Sequence, residues 1–85
     1  MSKFETILDL WRIHVPAAPL PSFSVRTAMR YPLDLIERAA ERTGEKLDTA
    51  RKYGEAMDDE GAARYFLGTL RHIQERADAE SAVSA

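Results

Sequence analysis

Four prolines, at positions 16, 19, 21 and 32, all fall in the first 32 residues of this chain, and none follows. Each one removes a backbone donor and locks φ, so neither a helix interior nor a central strand runs through it. They divide the N-terminal part into short segments that must be read separately. In the first, Phe4, Ile7, Leu8, Trp11 and Val15 recur at three- and four-residue steps, which predicts a helix over residues 2–15. Ser2 followed by Glu5 fits a capping box at its start, and Pro16 stops it. The stretch PAAPLP, residues 16–21, has lost three amide donors and reads as an extended connector. A proline-rich ligand for an aromatic groove is the other reading of such a stretch.

Ser24 is placed to cap a second short helix over Val25–Tyr31, because a residue before proline avoids the helical region. Pro32 suits the first turn of a third helix, from Leu33 to Thr43. Its apolar stripe is Leu33, Ile36, Ala40 and Thr43, with Leu47 in register beyond, and Gly44 is placed to end it. Asp48 caps a short turn, Thr49–Tyr53, that Gly54 closes. Asp58 or Asp59 then caps a last helix from Glu60 to Ala77. The stripe of that helix is Ala63, Phe66, Leu67, Leu70, Ile73 and Ala77. Gly61 and Gly68 each cost a helix about 1 kcal/mol relative to alanine. Gly68, on the edge of the stripe, suits a close helix crossing. The tail DAESAVSA, residues 78–85, lacks bulky side chains and is expected to fray. No segment alternates as a strand does. The expected fold is all-α, a single domain over residues 1–77 built of four to five short helices.

With 85 residues the chain makes one domain, and a domain of this size buries only about 60% of its unfolded surface. Most of the stripe is therefore expected to close the chain's own core, against Phe4, Leu8, Trp11, Ile36 and Leu47. There is no cysteine, so neither a disulfide nor a thiolate metal site is available, which fits a cytoplasmic protein. No apolar run reaches the length of a membrane span. Glu5 and Asp9 interrupt the place where a secretory signal would carry its apolar core. The net charge of −2 is unevenly spread: residues 26–53 hold seven Lys and Arg against five Asp and Glu, and residues 54–85 hold three against seven.

The side chains that carry chemistry lack organisation. His14 and His72 have no partner at metal-ligand spacing, and Arg71 and Arg76 flank His72. No nucleophile elbow surrounds any serine, and no glycine-rich loop follows a strand. The acidic knot of Glu55, Asp58, Asp59 and Glu60 lacks the alternating ligands of a calcium loop. It reads as a helix cap placed favourably against the helix dipole. No catalytic set, metal or cofactor is expected. Arg38, Arg42 and Lys46 form a basic row at four-residue spacing, with Glu37, Glu41 and Glu45 beside it. Such a face is solvated, or it docks a partner with complementary rows. Nucleic acid would be drawn to the arginines, but the adjacent glutamates repel the same phosphates.

The closing segment Tyr65-Phe66-Leu67-Gly68-Thr69-Leu70-Arg71-His72-Ile73 resembles the aromatic-rich last helix of the C-terminal helical domain in DnaD-like and phage replication-initiation proteins. Tyr65, Phe66 and Leu70 match that pattern, while Thr69 stands for an aliphatic residue and Ile73 for a tryptophan. Trp11 in a first helix, an amphipathic segment, then Leu35-Ile36-Glu37-Arg38-Ala39 resembles the domain's helix order, in outline over residues 4–76. The resemblance implies a helical domain and a replication setting. In that family, basic residues around and beyond the helix are associated with DNA contact. Here Glu75, Asp78 and Glu80 occupy those positions, which argues against DNA contact and leaves protein docking.

Phe23, Met29, Tyr31, Tyr53, Met57 and Tyr65 exceed what four short helices need inside, and aromatic residues and methionine are enriched at interfaces. The expected function is a non-enzymatic protein-binding adaptor or regulator, of a phage, plasmid or other mobile element. It is expected to dock an acidic helical surface on a replication or transcription protein, itself a basic nucleic-acid-binding protein. The expected contact residues are Arg38, Arg42, Lys46, Tyr53, Met57, Asp58, Asp59 and Tyr65. The alternative is an accessory domain that binds DNA directly.

Overall fold

The computed structural model describes residues 2–55 and 57–84, and the side chains of 82–84 lie outside that description. Four helices follow one another: α1 (Lys3–His14), α2 (Ser22–Ala28), α3 (Leu33–Lys52) and α4 (Asp59–Ser84). No strand occurs among the described residues, and the fold is all-α.

Helix α1 forms where its pattern predicts. Ser2 Oγ accepts the Glu5 amide at 3.2 Å, and Ile7, Trp11 and Val15 turn inward at four-residue steps. The chain then bends at Pro16, and the connector folds back onto α1. Trp11 Nε1 donates to the Ala18 carbonyl at 2.6 Å, and Leu20 is buried. One indole thus contributes a large apolar face and still satisfies its polar atom. The proline stretch is a structural elbow.

Helix α2 begins earlier than the Ser24 cap implied. Pro21, in extended backbone, stands at its N-cap, and the Val25 amide donates to the Pro21 carbonyl. Ser24 is buried in the first turn instead, beside Val25 and one turn before Ala28. The helix ends at Ala28 rather than Tyr31.

The larger correction concerns α3. It passes through Gly44 without a break and absorbs the expected Thr49–Tyr53 turn up to Lys52, with Tyr53 as its C-cap. Gly44 does not end a helix; it lets α1 and α3 touch. A Cβ there would overlap the His14 carbonyl oxygen and stand 3.2 Å from the carbonyl carbon. The true terminus is at Gly54, whose φ of +74° is a left-handed value that suits glycine. There the Glu55 amide donates to the Ala50 carbonyl at 2.7 Å and the Gly54 amide to that of Arg51 at 3.2 Å. These paired bonds satisfy carbonyls the helix end would leave free. The buried face of α3 is Leu35, Ile36, Ala39, Ala40, Thr43 and Ala50, whereas Leu33 faces outward. Buried Thr43 satisfies its hydroxyl on the Ala39 carbonyl at 2.8 Å.

Helix α4 starts after Asp58, whose Oδ1 accepts the Gly61 amide at 2.7 Å. Ala62, Ala63, Phe66, Leu70 and Ile73 are buried, and Phe66 meets the Trp11 ring edge-on at 5.1 Å and 70°. This aromatic pair and the surrounding aliphatics make one core shared by all four helices. Gly68 makes no close crossing: it is exposed, and nothing stands within 4 Å of where its Cβ would be. Nor does the helix stop at Ala77. It runs on to Ser84, exposed from Glu75 through Ser81, with Arg71–Glu75 and Gln74–Asp78 bonds one turn apart along its surface. Ala77 itself is exposed, and Ala85, the last residue of the expected tail, lies outside the described residues.

Candidate protein-docking surface

Helices α3 and α4 pack antiparallel, so the end of α3 lies beside the start of α4. Two depressions meet there. One, of about 390 Å³, is lined by Ala17, Ala18, Leu47, Arg51, Gly54, Glu55, Met57 and Asp59. The other, of about 590 Å³, lies between the proline elbow, α2 and the first turns of α4. Pro19, Pro21, Phe23, Ser24, Ala63 and Leu67 line it, with Asp59, Glu60 and Arg64 at its edge. Asp59 borders both.

The three acids at the head of α4 have different tasks. Asp58 is the cap: its side chain holds the Gly61 amide, and its carbonyl accepts the Ala62 amide at 2.9 Å. Glu60 meets Arg64 at 2.9 Å one turn on, an exposed pair of the kind worth a few tenths of a kcal/mol. Asp59 takes part in none of the three ion pairs among the described residues. It gains from the helix dipole, and its carboxylate is otherwise open to a partner.

The other expected contact residues divide between two ends of the α3–α4 hairpin. Met57 shares the first depression with Asp59, where it is half-buried and packs against the core. Arg38 and Arg42 line a cleft at the far end, about 240 Å³, together with Ile73, Arg76, Ala77 and Glu80. Arg42 also faces half-buried Tyr65 and exposed His72 across the helix pair. Lys46 and Tyr53 are exposed and line none of these depressions; Tyr53 stands at the end of α3, 72% exposed. The eight residues are therefore not one surface.

Two residues outside the expected contact set join these depressions: Arg76, and Phe23, which the sequence marks as surplus to the core. Arg76 joins Arg38 and Arg42 because antiparallel packing brings positions far apart in the chain side by side. Phe23 is 76% exposed at the mouth of the larger depression. The signal for Phe23 was present: it is the one large apolar residue of a short helix whose inward positions are taken by Ser24, Val25 and Ala28.

Among the described residues no three His, Asp, Glu or Cys side chains are grouped to hold a metal ion, and no helix is long and apolar enough to cross a membrane. The fold and surface define a small all-α bundle with an acidic, apolar-lined end. No family model matches the chain, and no curated protein and no solved structure matches it.

Proposed function

We propose that this chain is a small cytoplasmic, non-enzymatic adaptor or regulator that docks the acidic head of α4 on a replication or transcription protein. The observation that carries this reading is Asp59, an exposed carboxylate outside the ion pairs, set between two depressions with apolar walls. Its carboxylate steers a basic partner, and the apolar walls hold it: charge sets encounter and register, and buried apolar area supplies most of the affinity. Occlusion is the mechanism this suits. The domain covers a basic surface that would otherwise engage nucleic acid. The resemblance of the closing helix to phage replication-initiation proteins supports that setting and a mobile-element origin.

One observation favours a second reading. Arg38, Arg42 and Arg76 share a cleft with a single acid, Glu80, and none of the three arginines takes part in the three ion pairs between described side chains, so the cleft is net basic. Such a cluster suits phosphate contact, as direct DNA binding by an accessory domain requires. The two readings separate in one experiment. The protein is used to capture partners from its native host, and the partner found is titrated beside a duplex-DNA mobility shift. Asp59→Lys is expected to slow partner capture, with an effect that shrinks as salt rises. Asp58 is left intact in that variant because it caps α4. Tight, salt-sensitive DNA binding abolished by Arg38→Glu with Arg42→Glu would replace the first reading with the second.

A further inference from the structure

Phe23 has the greatest exposure of the large apolar side chains among the described residues. Helix α2 leaves it no inward position, and the core shared by all four helices is complete without it. Phe23 lines one depression with Pro19, Pro21, Ala63 and Leu67, so the outward phenylalanine belongs to a mainly apolar lining. Leu67 is half-buried, joined to the core on one side and to this lining on the other. The volume, about 590 Å³, is within the range of built binding sites and admits several side chains at once.

Charge at the rim decides the occupant. Asp59 and Glu60 border the depression at the head of α4, with Asp58 adjacent in sequence. The one basic residue lining it, Arg64, is held by Glu60 at 2.9 Å. The rim is therefore net negative over an apolar floor. We infer that this depression takes a short amphipathic segment of a partner protein, with a large apolar side chain entering beside Phe23 and a lysine or arginine next to it meeting Asp59. The inference rests on the reading of the chain as a protein-binding adaptor and assigns that reading its contact surface. A second copy of the chain fits less well: the apolar side chain it would bring, its own Phe23, has Asp59 and Glu60 around it, and the one base there, Arg64, is already held by Glu60.

The test uses the full chain and a fluorescently labelled synthetic amphipathic peptide of leucine and lysine, followed by anisotropy. A leucine–glutamate peptide of the same pattern serves as counterpart. Phe23→Ser removes an exposed side chain and is expected to leave the melting temperature unchanged while weakening the leucine–lysine peptide about tenfold or more. Asp59→Lys is expected to weaken it too, less so at high salt. Ile13→Ser, which removes another exposed apolar side chain (69% exposed) outside the depression, is expected to change nothing. If Phe23→Ser binds like the parent while Asp59→Lys does not, the depression is the wrong surface and the adaptor reading survives on the acidic head alone. Equal binding of the leucine–glutamate peptide overturns the charge argument. A wild-type dimer in sedimentation that Phe23→Ser dissolves makes the occupant a second copy and overturns the inference. If neither peptide binds while duplex DNA does, through Arg38 and Arg42, both the inference and the adaptor reading fall.

Discussion

Three glycines lie inside helices, and the same substitution at two of them, Gly44 and Gly68, is expected to act with opposite sign. In a helix interior alanine is favoured over glycine by about 1 kcal/mol. At Gly68 nothing stands in the way, since no atom lies within 4 Å of the new Cβ. Gly68→Ala is therefore expected to stabilise the protein by about 0.5–1 kcal/mol. At Gly44 the added methyl meets the His14 carbonyl, which is backbone at the last residue of α1 and has no rotamer to yield. Helix α1 must shift, and with it Ile7 and Trp11, both almost fully buried. Overpacking of this kind costs about 1–3 kcal/mol, and the obstacle being backbone places it toward the upper end. Set against the propensity gain, Gly44→Ala is expected to destabilise by about 1–2 kcal/mol. In a domain of this size 1 kcal/mol moves the melting temperature by about 4–8 °C, so the two variants should fall on opposite sides of the parent. Urea unfolding followed by the fluorescence of Trp11, the sole tryptophan, gives the same comparison at constant temperature. If Gly44→Ala raises stability as Gly68→Ala does, α1 does not rest on α3 at this point, and the account of how these helices meet is wrong.

Gly54→Ala forces a side chain into φ +74° and is expected to cost about 1–2 kcal/mol, read by thermal unfolding, although nothing crowds the position. Asp58→Ala should lose about 1 kcal/mol with the cap of α4, while Asp59→Ala should lose only a few tenths; equal losses in urea would mean that Asp59 shares the capping. Leu70→Ala empties a fully buried position and is expected to cost about 2–5 kcal/mol, with much of the circular-dichroism signal lost near physiological temperature; a small shift would mark the α4 stripe as an exposed face.

The helices were legible because their signals are local. Ser2 and Pro16 bracket α1, Asp58 opens α4, and four-residue spacing picks out Trp11, Phe66 and Leu70 for the core. The glycines were misassigned because a glycine means one thing by conformation and another by contact, and only the partner decides. Gly44 looks like a helix end in a short window. What it meets is a carbonyl thirty residues earlier, which periodicity cannot register. Gly68 looks like a crossing point because it borders the stripe, yet nothing stands within 4 Å of where its Cβ would be. The apolar stripe of α4 ends at Ala77, and that is where the helix would end if packing set its length. Beyond Ile73 it does not. No proline or glycine follows Gly68, and the segment is rich in alanine with bonded pairs one turn apart, so propensity carries the helix on. The candidate surface was read least well, because Phe23, Leu67 and Asp59 converge only after the proline elbow has folded back on Trp11.

Stability itself accounts for part of the charge at that surface. An α-helix favours acids at its first turn and bases at its last. Because α3 and α4 are antiparallel, the end of one lies beside the start of the other, and both demands are met in one place. Arg51 and Lys52 close α3 where Asp58, Asp59 and Glu60 open α4. Asp58 is needed by the cap, and Glu60 is engaged with Arg64. An acidic knot in the sequence is therefore weak support for a binding role until these uses are subtracted. Asp59 is what remains, at the edge of an apolar depression. Phe23 remains by the same reasoning, since the core is closed without it, and so do Arg38, Arg42 and Arg76 at the opposite end of the hairpin. Residues that neither cap nor fill the core are free to be set by contact with something else. Their segregation into an acidic apolar end and a basic cleft means that one end can be altered by substitution while the other serves as the control.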